Sequence, residues 1–320
     1  MHRYLIRGNP SVFQAFRGGT QNIAAKEPIQ GYERLKEYYE TAQDSRFDHL
    51  LYSIEEPSTQ TYLWDVYHGS EEYPGNIFYV TNNQTAGKGR KNNKWVANDS
   101  TLCFSYSYCV HTKSRSSSTE YFKELAFLPY LNGICLVKAL PGYRLFLKWP
   151  NDLYGVSLKH SELELKDSSK IRKYSKKIGG ILCESEEIHG KITAICGIGI
   201  NWDQAPSDDF MDIQQISEDG SISRGEFLKQ FLVNFEKYQP LLKTARGRKE
   251  ISEIVQHHWM HSDQSVTVNS PDFKNHKFKA KITGISDTGL LEVESMYGSF
   301  EVYPDNHSFD LRSNSIIQKK

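Results

Sequence analysis

Asn83 to Trp95 reads NQTAGKGRKNNKW, with Gly87 and Gly89 one residue apart among Lys88, Arg90, Lys91 and Lys94. Glycine lets a backbone take positive φ and bring its N–H groups against an anion, and the cations neutralise that anion's charge. Taken alone, the stretch also fits a basic solvated hairpin. It is not a P-loop, because GxxxxGK[ST] needs a hydroxyl directly after the lysine and wider glycine spacing. Its flanks set it in a sheet: Asn76 to Val80 is rich in β-branched and aromatic residues, and Thr101 to Val110 alternates Leu102, Phe104, Tyr106 and Tyr108 as a half-buried strand does.

Working outward, His49 to Ile54 is an apolar run, and Ser58 or Thr59 is a good N-cap for a helix over Gln60 to Tyr67. A helix from Glu120 to about Leu140, closed by Pro141 and Gly142, is followed by strands at Tyr143–Lys148, Ile178–Glu184 and Lys191–Ile200. Phe227, Leu228, Phe231, Leu232 and Phe235 fall on one helical face, a core-packing stripe. The charged stretches Lys113–Thr119 and Ser157–Lys177 read as solvated loops or insertions, and Tyr32 to Thr41 as one helix. Past Trp259 only short alternating strands remain, at Ser265–Val268, Phe278–Ile285, Leu290–Glu294 and Ser299–Tyr303. The expected fold is therefore α+β: a mixed central sheet with packed helices, then a small SH3-like β-barrel. The expected division is an extension of unknown role (1–47), a catalytic domain (48–262) and the barrel (263–320).

Composition narrows the function. Lys plus Arg equals Asp plus Glu at 39 each, so no global field draws the chain to nucleic acid or an anionic membrane face. The longest nearly uniform apolar run, Ile195 to Ile200, is far short of the roughly 20 residues that span a bilayer. The five cysteines are scattered and never spaced CxxC, which argues against a zinc ribbon or a disulfide framework and for a cytoplasmic home. Arg3, Arg7 and Arg17, with no acid before Glu27, resemble an organelle transit segment, so import is the alternative.

Three further segments follow the glycine loop in fixed order: LKWPNDLYG (Leu147–Gly155), KIGGILCES (Lys177–Ser185) and CGIGINWD (Cys196–Asp203). With these the chain, from about Ser53 to Asn314, resembles the biotin–protein ligases, whose pattern is a Gly-Arg-Gly-Arg loop ending in tryptophan, then KWPND, K[IL][AG]GI[LV] and G[IAC]G[IF]N. The His258–Ser262 junction and the Pro304–Asp310 tail resemble the eukaryotic, holocarboxylase-synthetase branch. The resemblance includes no winged-helix segment ahead of the catalytic part, so a DNA-binding repressor role is not expected. The fold it implies is that of class II synthetases and biotin ligases.

The activity implied is ATP-dependent formation of biotinyl-5′-AMP, then transfer of biotin to a lysine of apo biotin carboxyl carrier domains of carboxylases, with Mg2+ required. By motif, Ser58, Thr59 and Gln84 would hydrogen-bond the ureido ring of biotin, and Leu153 would line its thiophane ring. Gly87, Gly197 and Gly199 would form backbone walls, with Lys88 lining the site through its backbone although arginine is common there. Arg90 and Lys148 would be the catalytic cations, Trp95 would stack on adenine, and Asn201 would lie near the nucleotide. Asp152 is a candidate for placing magnesium or the incoming lysine, or a plain turn cap. A lipoate–protein ligase and a nonenzymatic binding module are the alternatives.

Overall fold

The computed structural model describes residues 3–7, 20–22, 46–110, 118–157, 159, 171, 173–217, 222–261, 264–271, 277–310 and 313–318. The expected helix over Tyr32–Thr41, Arg17, residues 113–117, most of the 157–177 insertion and the 262/263 boundary lie outside them.

Strands β1 (Arg3–Arg7), β2 (Thr20–Asn22), β3 (His49–Glu56), β4 (Ile77–Gln84), β7 (Thr101–Val110), β8 (Leu145–Lys148), β9 (Asp152–Val156), β10 (Ser175–Ile188) and β11 (Lys191–Asn201) form one sheet in the order β2-β1-β3-β4-β7-β11-β10-β9-β8. The β1–β2 and β3–β4 pairs are parallel and the others antiparallel, so the sheet is mixed, as expected. A separate two-stranded hairpin pairs β5 (Gly87–Lys88) with β6 (Lys94–Trp95) and projects the glycine-rich loop from the end of β4. The sequence reading set residues 1–47 apart as an extension, yet β1 lies within the sheet, with Arg3 opposite Ser53 and Leu5 opposite Leu51.

Helix α1 (Thr59–Gly69) packs on one face of this sheet. Helices α2 (Ser118–Ala126), α3 (Leu128–Ala139), α4 (Arg224–Tyr238) and α5 (Ala245–His258) follow in the chain. The two faces explain β7, which the alternation predicted to be half-buried and which is buried along almost its whole length. Its aromatic positions meet α4, with Phe104 and Phe231 centroids 5.1 Å apart and Tyr106 and Phe235 5.0 Å apart. Its serines face the α1 side, where Ser105 Oγ lies 2.7 Å from Thr59 Oγ1 and Ser107 Oγ accepts from the Ile77 N–H at 2.7 Å. The alternation thus separates large from small residues between two buried faces, not core from solvent.

The single helix expected over Glu120–Leu140 is two helices. Pro129 stands in the first turn of α3, where its missing N–H is harmless; farther inside a continuous helix its ring would clash with the carbonyl four residues back. β10 begins at Ser175, inside the expected loop, because Ser175 to Lys177 extend the antiparallel pairing with Val156 to Tyr154. Helix α5 carries too thin an apolar stripe to be read from sequence. It is anchored by Arg248, whose fully buried side chain meets Glu120 at 2.9 Å and Asp287 at 3.4 Å.

The C-terminal strands β12 (Ser265–Asn269), β13 (Lys277–Ile285), β14 (Leu291–Ser295), β15 (Gly298–Val302), β16 (His307–Asp310) and β17 (Ser315–Gln318) form a second sheet in the order β15-β14-β13-β12-β17-β16. It stands where the small barrel was expected, with β16 and β17 added to the four strands read from sequence. The Tyr130 hydroxyl donates to the Gly289 carbonyl at 2.9 Å and His261 Nε2 accepts from the Trp149 N–H at 2.9 Å, joining this sheet to the first. Among the described residues no helix is long and apolar enough to cross a membrane.

Candidate active site

The four sequence segments and the N-terminus of α1 converge on one cleft. One wall is the start of α1. Ser58 Oγ accepts from the Thr61 N–H at 3.3 Å, a working N-cap. Thr59 donates from its backbone N–H at 2.8 Å and from its hydroxyl at 3.3 Å to Gln84 Oε1. With its carbonyl oxygen fixed there, the Gln84 carboxamide turns its NH2 the other way. Ser58, Thr59 and Gln84 thus line the cleft as a hydrogen-bonded set capable of reading a compact polar ring.

The opposite side is cationic. The turn after β8 folds Asp152 back against Lys148, whose Nζ lies 3.5 Å from Asp152 Oδ2, while Lys177 Nζ from β10 lies 2.6 Å from Asp152 Oδ1. Side-chain exposures of 12% for Lys148, 16% for Asp152 and 25% for Lys177 put this cluster largely out of water, where charge interactions are strengthened. Asp152 is therefore occupied by two ammonium groups. A metal ion on that carboxylate would face both, and among the described residues no group of three or more His, Cys, Asp or Glu could hold one. A Mg2+ ion at Asp152 would therefore need substrate phosphates to complete its ligands.

Arg90 enters from the glycine-rich loop. Its Nη1 donates to Asn151 Oδ1 at 3.3 Å and its Nη2 to the Pro304 carbonyl of the C-terminal sheet, with Asp305 at 3.6 Å. Burial lowers its pKa, opposed by the charges of Asp305 and Asp152, but a guanidinium stays protonated throughout the working range. Lys88 lines the same cleft.

The glycines also make close contacts within the protein. A Cβ on Gly199 would lie 2.4 Å from Trp95 Cε2, and one on Gly197 2.4 Å from Gln60 Oε1. Both bare backbones therefore admit the protein's own side chains: the Trp95 ring lies on β11 at Gly199, half-exposed, with Lys177 Nζ 5.8 Å from the ring centroid. Gly87 is not among the residues lining the cleft, and a Cβ there would meet the Trp95 carbonyl at 2.7 Å, so close β5–β6 pairing requires it.

Leu153 and Asn201 are not among the residues that line the cleft. Leu153 is fully buried in the hydrophobic core, paired across the β8–β9 turn with Leu147. Asn201 is 1% exposed and its Nδ2 donates to the Met211 carbonyl at 3.1 Å. Conversely Gln60, Ser105, Asn151, Lys177 and Ser308 line the cleft without having been singled out. Asn151 and Lys177 sat inside quoted segments, so their signal was present but unassigned. Ser308 sat inside the Pro304–Asp310 tail, and only the packing of the C-terminal strands brings it to the cleft.

Residues 51–201 match the model of the biotin/lipoate A/B protein ligase family. The chain is 30% identical over 285 residues to a biotin–protein ligase of Schizosaccharomyces pombe, covering 82% of this chain and 42% of that one. It is 28% identical over 259 residues to the chloroplastic biotin–protein ligase 1 of Arabidopsis thaliana, covering 79% and 65%. The human biotin–protein ligase is 25% identical over 286 residues, with 85% and 35% covered. This chain thus spans less than two thirds of the length of each of these relatives. A solved biotin protein ligase from Aquifex aeolicus in complex with biotin and ATP superposes with a TM-score of 0.51 at 21% identity, covering 84% of this chain and 99% of the other, and shares the fold.

Proposed function

We propose, from the premise that residues 51–201 form a biotin/lipoate A/B protein ligase family domain, that this chain is a biotin–protein ligase: it joins biotin to ATP as biotinyl-5′-AMP and passes the biotinyl group to a lysine of a carboxylase carrier domain. The observation that supports the reading best is the meeting of a polar ring-reading set (Ser58, Thr59, Gln84) with three cations (Arg90, Lys148, Lys177) across one cleft.

In the first step a biotin carboxylate oxygen bonds to the α-phosphorus of ATP and pyrophosphate leaves. Two anions must meet, and negative charge grows on the phosphoryl oxygens. Lys148 and Arg90 reduce the repulsion and stabilise that charge; preorganised donors of this kind each contribute about 3–4 kcal/mol. Asp152, held between Lys148 and Lys177, orients both ammonium groups before substrate arrives, so little reorganisation is needed. Magnesium enters as the counter-ion of the nucleotide substrate. The Trp95 ring offers a flat face for adenine, a contact worth about 1–3 kcal/mol. Gly197 and Gly199 serve the site indirectly by seating Gln60 and Trp95.

In the second step an acceptor lysine amine attacks the mixed anhydride and AMP leaves. Free lysine titrates near 10.4, so providing the neutral amine at pH 7 costs about 4–5 kcal/mol, and the low-dielectric, positively charged cleft lowers that cost. The scattered unpaired cysteines support a cytoplasmic setting, and the chloroplastic relative keeps an organelle as the alternative.

The test is pyrophosphate exchange into ATP with purified chain, biotin or lipoate, and MgATP, followed by labelled-biotin transfer to a carboxylase carrier domain. Exchange with biotin but not lipoate is expected. Exchange with lipoate alone would make the chain a lipoate ligase, and exchange with neither acid by folded protein would leave a binding module.

A further inference from the structure

Arg3 belongs to none of the segments that build the cleft and does not line it. It reaches a carboxylate at the junction that builds one wall of it. Glu56 is 2% exposed, and three donors converge on it: Arg3 Nε at 2.6 Å, Arg3 Nη2 at 2.9 Å and the hydroxyl of Tyr79. The same guanidinium lies 4.2 Å over the ring of Tyr62 on α1.

Glu56 ends β3 two residues before Ser58 and stands opposite Gln84 in the parallel register with β4. Its carbonyl accepts from the Thr85 N–H at 3.1 Å, and the next carbonyl, of Pro57, accepts from Ala86 N–H at 2.8 Å. Residues 56 and 57 are thus the joint between the N-terminus of α1, which bears Ser58 and Thr59, and the end of β4, which bears Gln84. A carboxylate buried this deeply stays ionised in place only beside a countercharge. Arg3, delivered by β1, supplies it.

We infer that Arg3 is a positioning residue for biotin recognition: through its two bonds to Glu56 it holds the Ser58–Thr59 turn against Gln84, which makes the N-terminal strand part of the ligand-binding unit. This rests on the reading of those three residues as the biotin contacts. The nucleotide side of the cleft, built from Arg90, Trp95, Lys148 and Lys177, shares none of these bonds, so the effect falls on one substrate.

The experiment is pyrophosphate exchange with the full chain carrying Arg3→Met. The biotin KM is expected to rise at least about tenfold, the scale on which small misplacements weaken a preorganised site, with the ATP KM unchanged. Arg3→Lys, which keeps the charge, recovers part of the loss. Should Arg3→Met fold poorly, the double variant Arg3→Met/Glu56→Gln removes both charges at similar volume. It is expected to melt near wild type while still showing the raised biotin KM. A wild-type biotin KM in either folded variant, or a parallel rise in both KM values, overturns the inference while wild-type exchange stands. Absence of biotin-dependent exchange in the wild-type chain overturns the functional reading itself, and this inference with it.

Discussion

Replacing Asp152 by Asn removes the one negative charge between two ammonium groups and leaves the side-chain shape intact. At 2.6 Å from Lys177 and 3.5 Å from Lys148, the gross attractions are about 6 and about 5 kcal/mol for an effective dielectric near 20. Desolvation offsets much of this, and taking the central partner out of a buried ionic cluster leaves a net destabilisation of about 3–5 kcal/mol. For a chain of this size that corresponds to a fall of roughly 5–10 °C in melting temperature. The two lysines are then left facing each other across a neutral amide, and the phosphates of ATP replace the lost charge. Nucleotide should accordingly stabilise Asp152→Asn by more than it stabilises wild type. Scanning fluorimetry with and without MgATP measures both effects. Coincident melting curves for the two free proteins, or equal nucleotide-induced shifts, would refute the electrostatic argument.

Three other outcomes follow from the same geometry. Lys148→Ala should lower the rate of labelled biotinyl-adenylate formation by roughly 10²–10³, the loss typical for one donor aimed at developing charge, with an unchanged circular dichroism spectrum. Gly199→Ala places a methyl 2.4 Å from the Trp95 indole and must displace the ring; the ATP KM should rise while the biotin KM stays near wild type, and unchanged ATP kinetics would remove Trp95 from the nucleotide site. His258 is held by burial at a pKa of about 4, down from 6.5, with Lys138 and His257 adding to the shift. Because the folded-state value is the depressed one, the unfolded chain takes up the proton first as pH falls. The stability this contributes is present above pH 6.5 and lost progressively towards pH 4, up to about 3 kcal/mol. His258→Gln should flatten that part of a denaturation-versus-pH curve, and superimposable curves would count against it.

Much of this protein was legible without coordinates because short-range patterns set its elements. The N-cap at Ser58 and the strand Thr101–Val110 follow from residue types within a few positions of one another. So does the aromatic stripe of Phe227 to Phe235. The order of the loop, Leu147–Gly155, Lys177–Ser185 and Cys196–Asp203 segments pointed to one anion-handling cleft, and the cations Arg90 and Lys148 were identified from it.

Other features depended on which strands lie side by side. Arg3 meets Glu56 across 53 residues, and Arg90 meets the Pro304 carbonyl across 214. No periodicity spans such separations. Only the β9–β10 register brings Lys177 to Asp152, and only the β5–β6 hairpin lays Trp95 on Gly199. Strand pleat turns Leu153 into the core while its neighbour Asp152 lines the cleft, and Asn201, on the same strand face as Gly199, donates to the Met211 carbonyl. Local chemistry therefore determined what each segment can form and which charges it offers. Sheet order and register decided which of those groups meet, since a shift of one residue turns every side chain to the other face.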